Sequence, residues 1–156
     1  MISSSALNEL SKALGAAEVH ATRYDRTGSH LDVTVAGDGL RAAAQTLQGR
    51  GFFLEDLTAV DHRTHREVVY RFNLYQGPCR VTIRAKANEA DAVDTISDLY
   101  PLANWMEREC HEFLGVTFKG HPDPRRLLLP EDSDFHPLRK DFVVPQEALA
   151  PEYHQD

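Results

Sequence analysis

The sequence predicts an α+β protein, in which helices pack on one face of a mainly antiparallel sheet and a proline-rich extended tail follows at the C-terminus. Segments 68–74 and 81–85 alternate apolar and polar residues with the two-residue period of half-buried strands. Segments 7–14, 40–47 and 102–114 repeat apolar residues at three- and four-residue steps, as helices do. Because strands come in runs separated by helices, α+β is favoured over α/β.

The N-terminal part of the chain predicts a helix followed by a β-hairpin. Serines at positions 3 to 5 can cap the helix, and Gly15 marks its end. Segment 31–35 alternates like a strand, and segment 19–24 can pair with it across a turn at 25–29.

A second helix, capped by Asp38 and stopped by Gly49 and Gly51, precedes an apolar strand at 52–60. The two alternating segments come next, joined through a turn that contains Gly77, and they predict an antiparallel pair with one buried face.

Two helices are predicted before the tail, the first over 93–100. Pro101 suits the first turn of the second helix, which ends near Leu114 with Gly115 just beyond it. The predicted order of elements is therefore α, β, β, α, β, β, β, α, α.

The C-terminal stretch differs in kind, because six of the eight prolines follow residue 119: Pro122, Pro124, Pro130, Pro137, Pro145 and Pro151. Each proline removes a donor and fixes φ, so no long regular element can form there. We therefore expect a folded domain at 1–118 and an extended tail at 119–156. The tail is rich in leucine, phenylalanine and valine, so either this domain or a partner should cover it.

Composition narrows the possible functions. The 156 residues suffice for one domain, and no apolar run approaches the roughly 20 residues that span a bilayer. The first residues lack a secretory signal pattern, so export is not expected. The formal net charge of −7 argues against nucleic acid as a partner, since phosphate contacts require basic residues.

Motifs for catalysis or cofactor binding are absent or incomplete. His111 and Glu112 begin like a zinc-protease helix, but Gly115 stands where the second histidine is required. Cys79 and Cys110 are the only cysteines, which is too few for an iron–sulfur cluster, and we expect reduced thiols. No glycine-rich phosphate loop and no nucleophile elbow occurs in the sequence.

A metal-binding enzyme is the alternative function that the sequence leaves open. His62 and His65, three residues apart, can share a face, although two histidines without a third ligand are more often surface residues. The alternative is a small stand-alone metalloenzyme that uses these two with His111 or His121 and nearby carboxylates.

One carboxylate is predicted to be buried. In a helix over 102–113, an apolar stripe includes Glu109 among the residues Leu102, Trp105, Met106, Cys110 and Phe113. A buried carboxylate needs a partner, and Arg125 or Arg126 from the returning chain is the expected one. The basic pairs Arg125–Arg126 and Arg139–Lys140 are otherwise expected to dock onto carboxylates.

The segment 107–128, ERECHEFLGVTFKGHPDPRRLL, closely resembles the signature of the small C-type subunit, or 30 kDa-type subunit, of respiratory complex I, the NADH:quinone oxidoreductase. The resemblance continues into LPED at 129–132 and HPLRKDF at 136–142. The α+β domain before these motifs fits the fold of the same family, so the resemblance extends over the whole chain.

The resemblance implies a non-catalytic subunit without cofactors of its own. FMN, iron–sulfur clusters and quinone are expected in partner subunits of the peripheral arm, and the tail is expected to wrap on the D-type, or 49 kDa-type, subunit, which helps to form the quinone site. The complex would hold the chain on the cytoplasmic side of the cell inner membrane. The residues implied at the subunit interface are Glu107, Arg108, Glu109, Glu112, Gly115, His121, Pro122, Arg125, Arg126, Pro137, Leu138, Arg139, Lys140 and Asp141.

Two residues depart from the family pattern. The family usually has Asp at the position of Glu112 and an aromatic residue at that of Leu114. These departures leave the branch open, because related subunits occur in membrane-bound hydrogenases, formate-hydrogen lyases and ferredoxin- or deazaflavin-linked complexes.

Overall fold

The computed structural model describes residues 4–14, 18–36, 38–87, 90 and 92–144. Within these residues the elements are, in chain order, α1 Ser4–Leu14, β1 Glu18–Ala21, α2 Tyr24–Thr27, β2 Leu31–Ala36, α3 Leu40–Gly49, β3 Phe52–Asp61, β4 Arg66–Leu74, β5 Arg80–Lys86, β6 Ala92–Asp94, α4 Ala103–Leu114 and β7 Thr117–Lys119. None of these helices has the length and apolar character needed to cross a membrane.

Five strands form one sheet in the order β1-β2-β5-β4-β3. Strands β3, β4 and β5 pair antiparallel as neighbours along the chain, and β1 pairs antiparallel with β2. Strand β2 joins β5 in parallel, with Leu31 opposite Val81, and the separate pair β6 and β7 is also parallel. The predicted α+β fold with a mainly antiparallel sheet is therefore confirmed.

Alternation along the central strands gives the sheet one apolar and one polar face. Val33, Tyr70 and Ile83 lie in register across β2, β4 and β5 and are fully buried. Helix α3 lies against the apolar side through its buried residues Leu40, Ala43, Ala44 and Leu47. On the polar face, Arg84 Nε donates to Asp32 Oδ1 at 3.0 Å.

The segment 93–100, predicted as a helix, is instead strand β6 followed by a turn. The Thr95 N–H donates to the Lys119 carbonyl at 3.0 Å, and the Ile96 N–H donates to Glu107 Oε1 at 2.9 Å. These donors are engaged across the fold and cannot serve a helical ladder. Val93, Ile96 and Tyr100 have the spacing of a helix because each of them is buried in the core by this irregular segment.

Helix ends were predicted with mixed success. Helix α3 begins after Gly39 without a side-chain cap, so the prediction that Asp38 caps it is wrong. The predicted turn of the first hairpin contains the short helix α2. Helix α4 ends at Leu114, and Gly115 follows with a φ of 74°, as predicted. Gly15, the predicted end of the first helix, lies outside the described residues.

Candidate functional site

Helix α4 carries two buried carboxylates on two different faces. Ala103, Glu107, Cys110 and Leu114 follow one another at four- and three-residue steps, and this face points into the core. Glu112 lies on a second face, which contacts the returning tail. Both carboxylates are completely buried, so each requires hydrogen-bond donors of its own.

Glu112 binds three consecutive backbone N–H groups of the tail. Its carboxylate accepts hydrogen bonds from the amides of Leu127, Leu128 and Leu129, the last at 2.7 Å. Burial by itself would raise the pKa of Glu112. The three amides and the nearby Arg126 charge reverse that effect, so the pKa lies below its ordinary value. Glu112 is therefore ionised and binds the tail backbone. We call its hydrogen bonds to the amides of 127–129 the Glu112 clamp.

Arg108, one helical turn before Glu112, binds the tail at the preceding residues. Its Nε donates to the Arg125 carbonyl at 2.9 Å, and its Nη2 donates to the Arg126 carbonyl at 2.8 Å. Its guanidinium also lies 5.2 Å from the centre of the Trp105 ring. Arg108 and Glu112 together bind the backbone of 125–129, through its carbonyl groups at 125 and 126 and its N–H groups at 127–129.

A later part of the tail closes the C-terminus of α4. The last carbonyls of a helix lack intrahelical donors. Here the Leu138 N–H donates to the Phe113 carbonyl at 3.0 Å, and Arg139 Nε donates to the Leu114 carbonyl at 3.1 Å. His136 Nδ1 is 2.8 Å from the Glu112 carbonyl. The tail thus completes the helix end.

The tail next contacts the long β3–β4 hairpin, where the Lys140 N–H donates to Asp61 Oδ2 at 2.9 Å. Lys140 and Asp141 line a cavity of about 140 Å³ together with Asp61, Arg63 and Arg66. Of the predicted tail, Lys119 lies in strand β7, and the following described residues, 120–144, contain no helix or strand. Their polar bonds run both to the domain and within the tail itself.

Glu107 occupies the other buried position, beneath the segment that follows β6. Its Oε1 accepts from the Ile96 N–H at 2.9 Å, and its Oε2 is bonded to the Thr95 hydroxyl. His121 Nε2 lies 3.7 Å from the same Oε2. Burial raises the pKa of Glu107 to about 7, and the two hydrogen bonds oppose that rise only in part.

The prediction that Glu109 is buried is wrong, because its side chain is exposed. Trp105, from the same predicted stripe, is 58% exposed. The expected partners of Glu109 are bonded to other groups. Arg125 pairs with Asp123 at 2.7 Å, and Arg126 donates to the Ser133 carbonyl. Of the predicted stripe, Cys110 is buried and Met106 packs against the core, so the inward face of α4 overlaps the predicted one only in part.

Sequence reasoning named Glu107 and Glu112 only as family-motif residues and did not predict their burial, because it placed the apolar stripe that contains Glu109 inside. The signal that could have found Glu107 was the regular series Ala103, Glu107, Cys110 and Leu114, in which one carboxylate interrupts small and apolar residues. Glu112 had no such signal, since its donors are backbone amides that the sequence does not display.

The histidines proposed for a metal site are separated. His62 and His65 stack at 4.8 Å between ring centres near the turn of the β3–β4 hairpin. His111 Nδ1 lies 2.9 Å from the Val116 carbonyl, and His121 Nε2 lies 3.1 Å from that of Asn104. In the part of the chain that the structure describes, no group of three or more His, Cys, Asp or Glu could hold a metal ion.

Both cysteines are buried free thiols. Burial raises the pKa of Cys79 to about 11 and that of Cys110 to about 12. Both therefore stay protonated at neutral pH, which makes them poor nucleophiles.

The tail directs several apolar side chains to solvent although its backbone is bound. Leu128 is 68% exposed, Leu138 61% and Val143 81%. Phe135 and Val144 are also exposed, and Phe135 stacks on Phe142 at 5.6 Å between ring centres. We call the exposed side chains of Leu128, Phe135, Leu138, Val143 and Val144 the tail surface.

Comparison with known proteins places these features in a family. Residues 33–148 match the family model of the respiratory-chain NADH dehydrogenase 30 kDa subunit. The C-type subunit of the Moorella thermoacetica NADH-quinone oxidoreductase is 41% identical over 120 residues, which cover 74% of this chain and 81% of the relative. Its counterpart from Ruegeria sp. is 50% identical over 93 residues, or 57% of this chain and 46% of the relative. The chain thus spans only about half the length of some relatives that it matches.

Two solved structures resemble the fold. A trypsin-resistant fragment of Nqo5 is 27% identical, with a TM-score of 0.62, over 75% of this chain and 95% of the fragment. A chain of an archaeal membrane-bound sulfane sulfur reductase is 23% identical, with a TM-score of 0.74, over 94% and 90% of the two chains. The second likeness concerns the fold alone. The family-model match, the NADH-quinone oxidoreductase relatives and the α+β fold together show that this chain belongs to the family of the 30 kDa subunit of respiratory-chain NADH dehydrogenase.

Proposed function

We propose that this chain is a non-catalytic, cofactor-free subunit in the peripheral arm of a proton-translocating NADH:quinone oxidoreductase, where it supports the D-type subunit that helps to form the quinone site. The observation that carries the proposal is the tail surface: Arg108 and Glu112 hold the tail by its backbone and leave Leu128 and Leu138 exposed. Apolar side chains on a bound backbone suit a protein partner.

The buried polar groups described above support a structural role. Glu112 and Arg108 bind backbone atoms of the same chain, and the cysteine thiols remain protonated. In this proposal the redox chemistry belongs to the partner subunits, and the chain reaches the cytoplasmic face of the membrane only through them. A related hydrogenase, formate-hydrogen lyase or ferredoxin- or deazaflavin-linked complex would use the same surface.

The proposal is tested by binding of the co-expressed D-type subunit to this chain and to two variants. We expect Leu128→Asp with Leu138→Asp to weaken capture at least tenfold, because two charges would enter an apolar interface. Tyr75→Asp is the matched control, since Tyr75 is 83% exposed in the turn after β4, away from the tail. Equal capture by all three proteins would contradict the proposal.

The absence of a cofactor is tested on the purified full-length chain. We expect no stoichiometric flavin, nicotinamide, iron or zinc by absorbance and elemental analysis. One equivalent of any of these in a folded sample would refute the cofactor-free proposal and would favour the metalloenzyme alternative if the cofactor were zinc.

A further inference from the structure

The carboxyl group of Glu107 lies where three parts of the chain meet. Glu107 belongs to α4, Thr95 and Ile96 follow β6, and His121 follows β7 at the start of the tail. Glu107 is completely buried, and the His121 side chain is only 3% exposed. A charge on this carboxylate would therefore be far from solvent and would need a compensating cation.

His121 makes its hydrogen bonds to groups other than that carboxylate. Its Nδ1 accepts a hydrogen bond from the Asp123 N–H at 3.1 Å, so Nε2 carries a ring proton. The Nε2–H donates to the Asn104 carbonyl at 3.1 Å. Nε2 remains 3.7 Å from Glu107 Oε2, beyond hydrogen-bond distance.

The cations around Glu107 are bonded to other groups. Arg41 of α3 donates to the Thr95 carbonyl at 3.1 Å and pairs with Asp98. Arg108 lines a cavity of about 50 Å³ together with Glu107, but its Nε and Nη2 donate to carbonyls of the tail. The negative charge of Asp98 disfavours a second negative charge on Glu107. Other titratable neighbours include the Tyr70 hydroxyl of β4, the Cys110 thiol of α4, and His111 and Asp123 at the cavity and the tail.

We propose that Glu107 retains a proton in the folded chain up to about neutral pH, and that the neutral carboxylic acid is the form that joins the segment after β6 to α4. The Thr95 hydroxyl would donate to an ionised Oε2; in the protonated form this bond reverses, so that Oε2–H donates to Thr95 Oγ1 and Thr95 Oγ1 can donate to Ser97 Oγ at 2.9 Å. Oε1 continues to accept from the Ile96 N–H. Each polar atom of the carboxyl group is then bonded without a buried charge.

The effect of burial on this group agrees with the geometry, since it raises the pKa of Glu107 to about 7. Loss of the proton leaves a buried charge whose hydrogen-bond donors, the Thr95 hydroxyl and the Ile96 N–H, are neutral. Segment 95–98 is then expected to loosen from α4, because it contacts the carboxylate directly. Proton binding at Glu107 is thereby linked to the order of the segment after β6.

The direct test is a pH titration of the full chain labelled with ¹³C at the glutamate carboxyl carbons. We expect one resonance to titrate near pH 7, to be missing in Glu107→Gln, and to persist in Glu109→Gln. Glu109 is the matched control, because it lies two residues away on the same helix and is exposed. If the resonance lost in Glu107→Gln titrates at or below the ordinary range of glutamate, the proposal is overturned.

Infrared spectroscopy provides a second test that begins with the unaltered chain. At pH 6, exposed carboxyl groups are ionised, so a C=O band of a neutral carboxylic acid reports a buried proton. The proposal requires this band in the native chain and its loss in Glu107→Gln. Should that variant fail to fold, Thr95→Val must shift the band, since it removes the hydrogen-bond acceptor. No band, or a band that neither substitution alters, overturns the proposal.

Discussion

Three glutamates within six residues of α4 have three different environments. Glu107 is buried against Thr95 and Ile96, Glu109 is exposed, and Glu112 is buried against backbone amides of the tail. Their intrinsic chemistry is the same, so the difference arises from the donors that each one meets. For this reason, substitution of each residue should have a different effect on the free energy of unfolding.

Glu112→Ala is expected to destabilise the chain by about 2–4 kcal/mol, because it leaves three amides of 127–129 without their acceptor in a partly buried site. Urea unfolding monitored by circular dichroism measures this change. Glu109→Ala serves as the control and should change the free energy of unfolding by less than about 0.5 kcal/mol. Equal effects of the two substitutions would contradict the clamp.

The pH dependence of stability should reveal Glu107. Its folded-state pKa of about 7 exceeds that of an unfolded glutamate, so the folded state holds the proton more tightly. This contribution is largest below about pH 4.5 and is lost as pH rises to about 7, to a total of about 3 kcal/mol. Glu107→Gln should lack this slope in urea unfolding between pH 5 and 8. If the free energy of unfolding of that variant kept the same dependence on pH, another group would be responsible for it.

At the scale of elements, α4 depends on a segment more than twenty residues away to complete its C-terminus. Gly115 takes a left-handed φ of 74°, and a Cβ atom there would lie 2.9 Å from the His136 ring. His136, Leu138 and Arg139 all bind the last turn of α4. The sharp end of the helix and the close approach of the tail therefore require the same glycine.

Gly115→Ala is expected to destabilise the chain by about 2–3 kcal/mol, since the left-handed conformation costs an alanine about 1–2 kcal/mol and the His136 ring must also move. Gly120→Ala is the matched control. Gly120 has a φ of 79°, but a Cβ atom there would meet only Thr95 Cγ2 at 3.6 Å. Thermal unfolding should show the smaller loss for Gly120→Ala, and the reverse order would contradict the role of the tail.

From its prolines and its uncovered apolar side chains, the sequence predicts that the chain after about residue 118 is mobile in isolation and ordered in the complex. The bonds from 125–129 and 136–140 to α4 and Asp61 now predict a divided result for the isolated chain. In hydrogen exchange, the amides of Leu127, Leu128 and Leu129 should be protected, while those of 141–144 should exchange quickly. Rapid exchange throughout 120–144 would instead favour a tail that is mobile along its whole length.

The regular elements could be predicted where side-chain period decides the structure. Segments 68–74 and 81–85 form β4 and β5 because alternation puts one face in the core, and α4 ends where Gly115 marks it. The strand β6 could not be predicted, since it depends on pairing with β7 more than twenty residues later. The parallel pairing of β2 with β5 could not be predicted from the local sequence pattern either.

At the candidate site, too, contacts between distant segments could not be predicted from the local sequence pattern. The residues implied at a subunit interface stay a prediction in that role, although two of them, Arg108 and Glu112, bind the tail within the chain. The choice of Glu109 failed because helix periodicity measures apolar character and cannot detect which carboxylate meets backbone donors. The observed orientation of α4 both buries apolar residues, among them Cys110 and Leu114, and brings Glu107 and Glu112 to backbone donors.

At the scale of the whole molecule, the chain has a bound backbone in its tail and an exposed apolar surface along it. The Glu112 clamp and the Arg108 bonds order the tail before any partner arrives, so association should require less ordering entropy than folding on binding does. Under the proposed function, recognition of the partner would depend mainly on the side chains of the tail surface.

The strand order β1-β2-β5-β4-β3 also has a consequence for the route of folding. Strands β3, β4 and β5 are neighbours in both sequence and space, whereas Leu31 of β2 meets Val81 of β5 across fifty residues. Loop closure makes the second contact slower to form, so the three-stranded meander should assemble first and β2 should dock later. Val68→Ala in β4 should therefore mainly slow refolding, while Val33→Ala in β2, equally buried, should mainly speed unfolding in stopped-flow measurements.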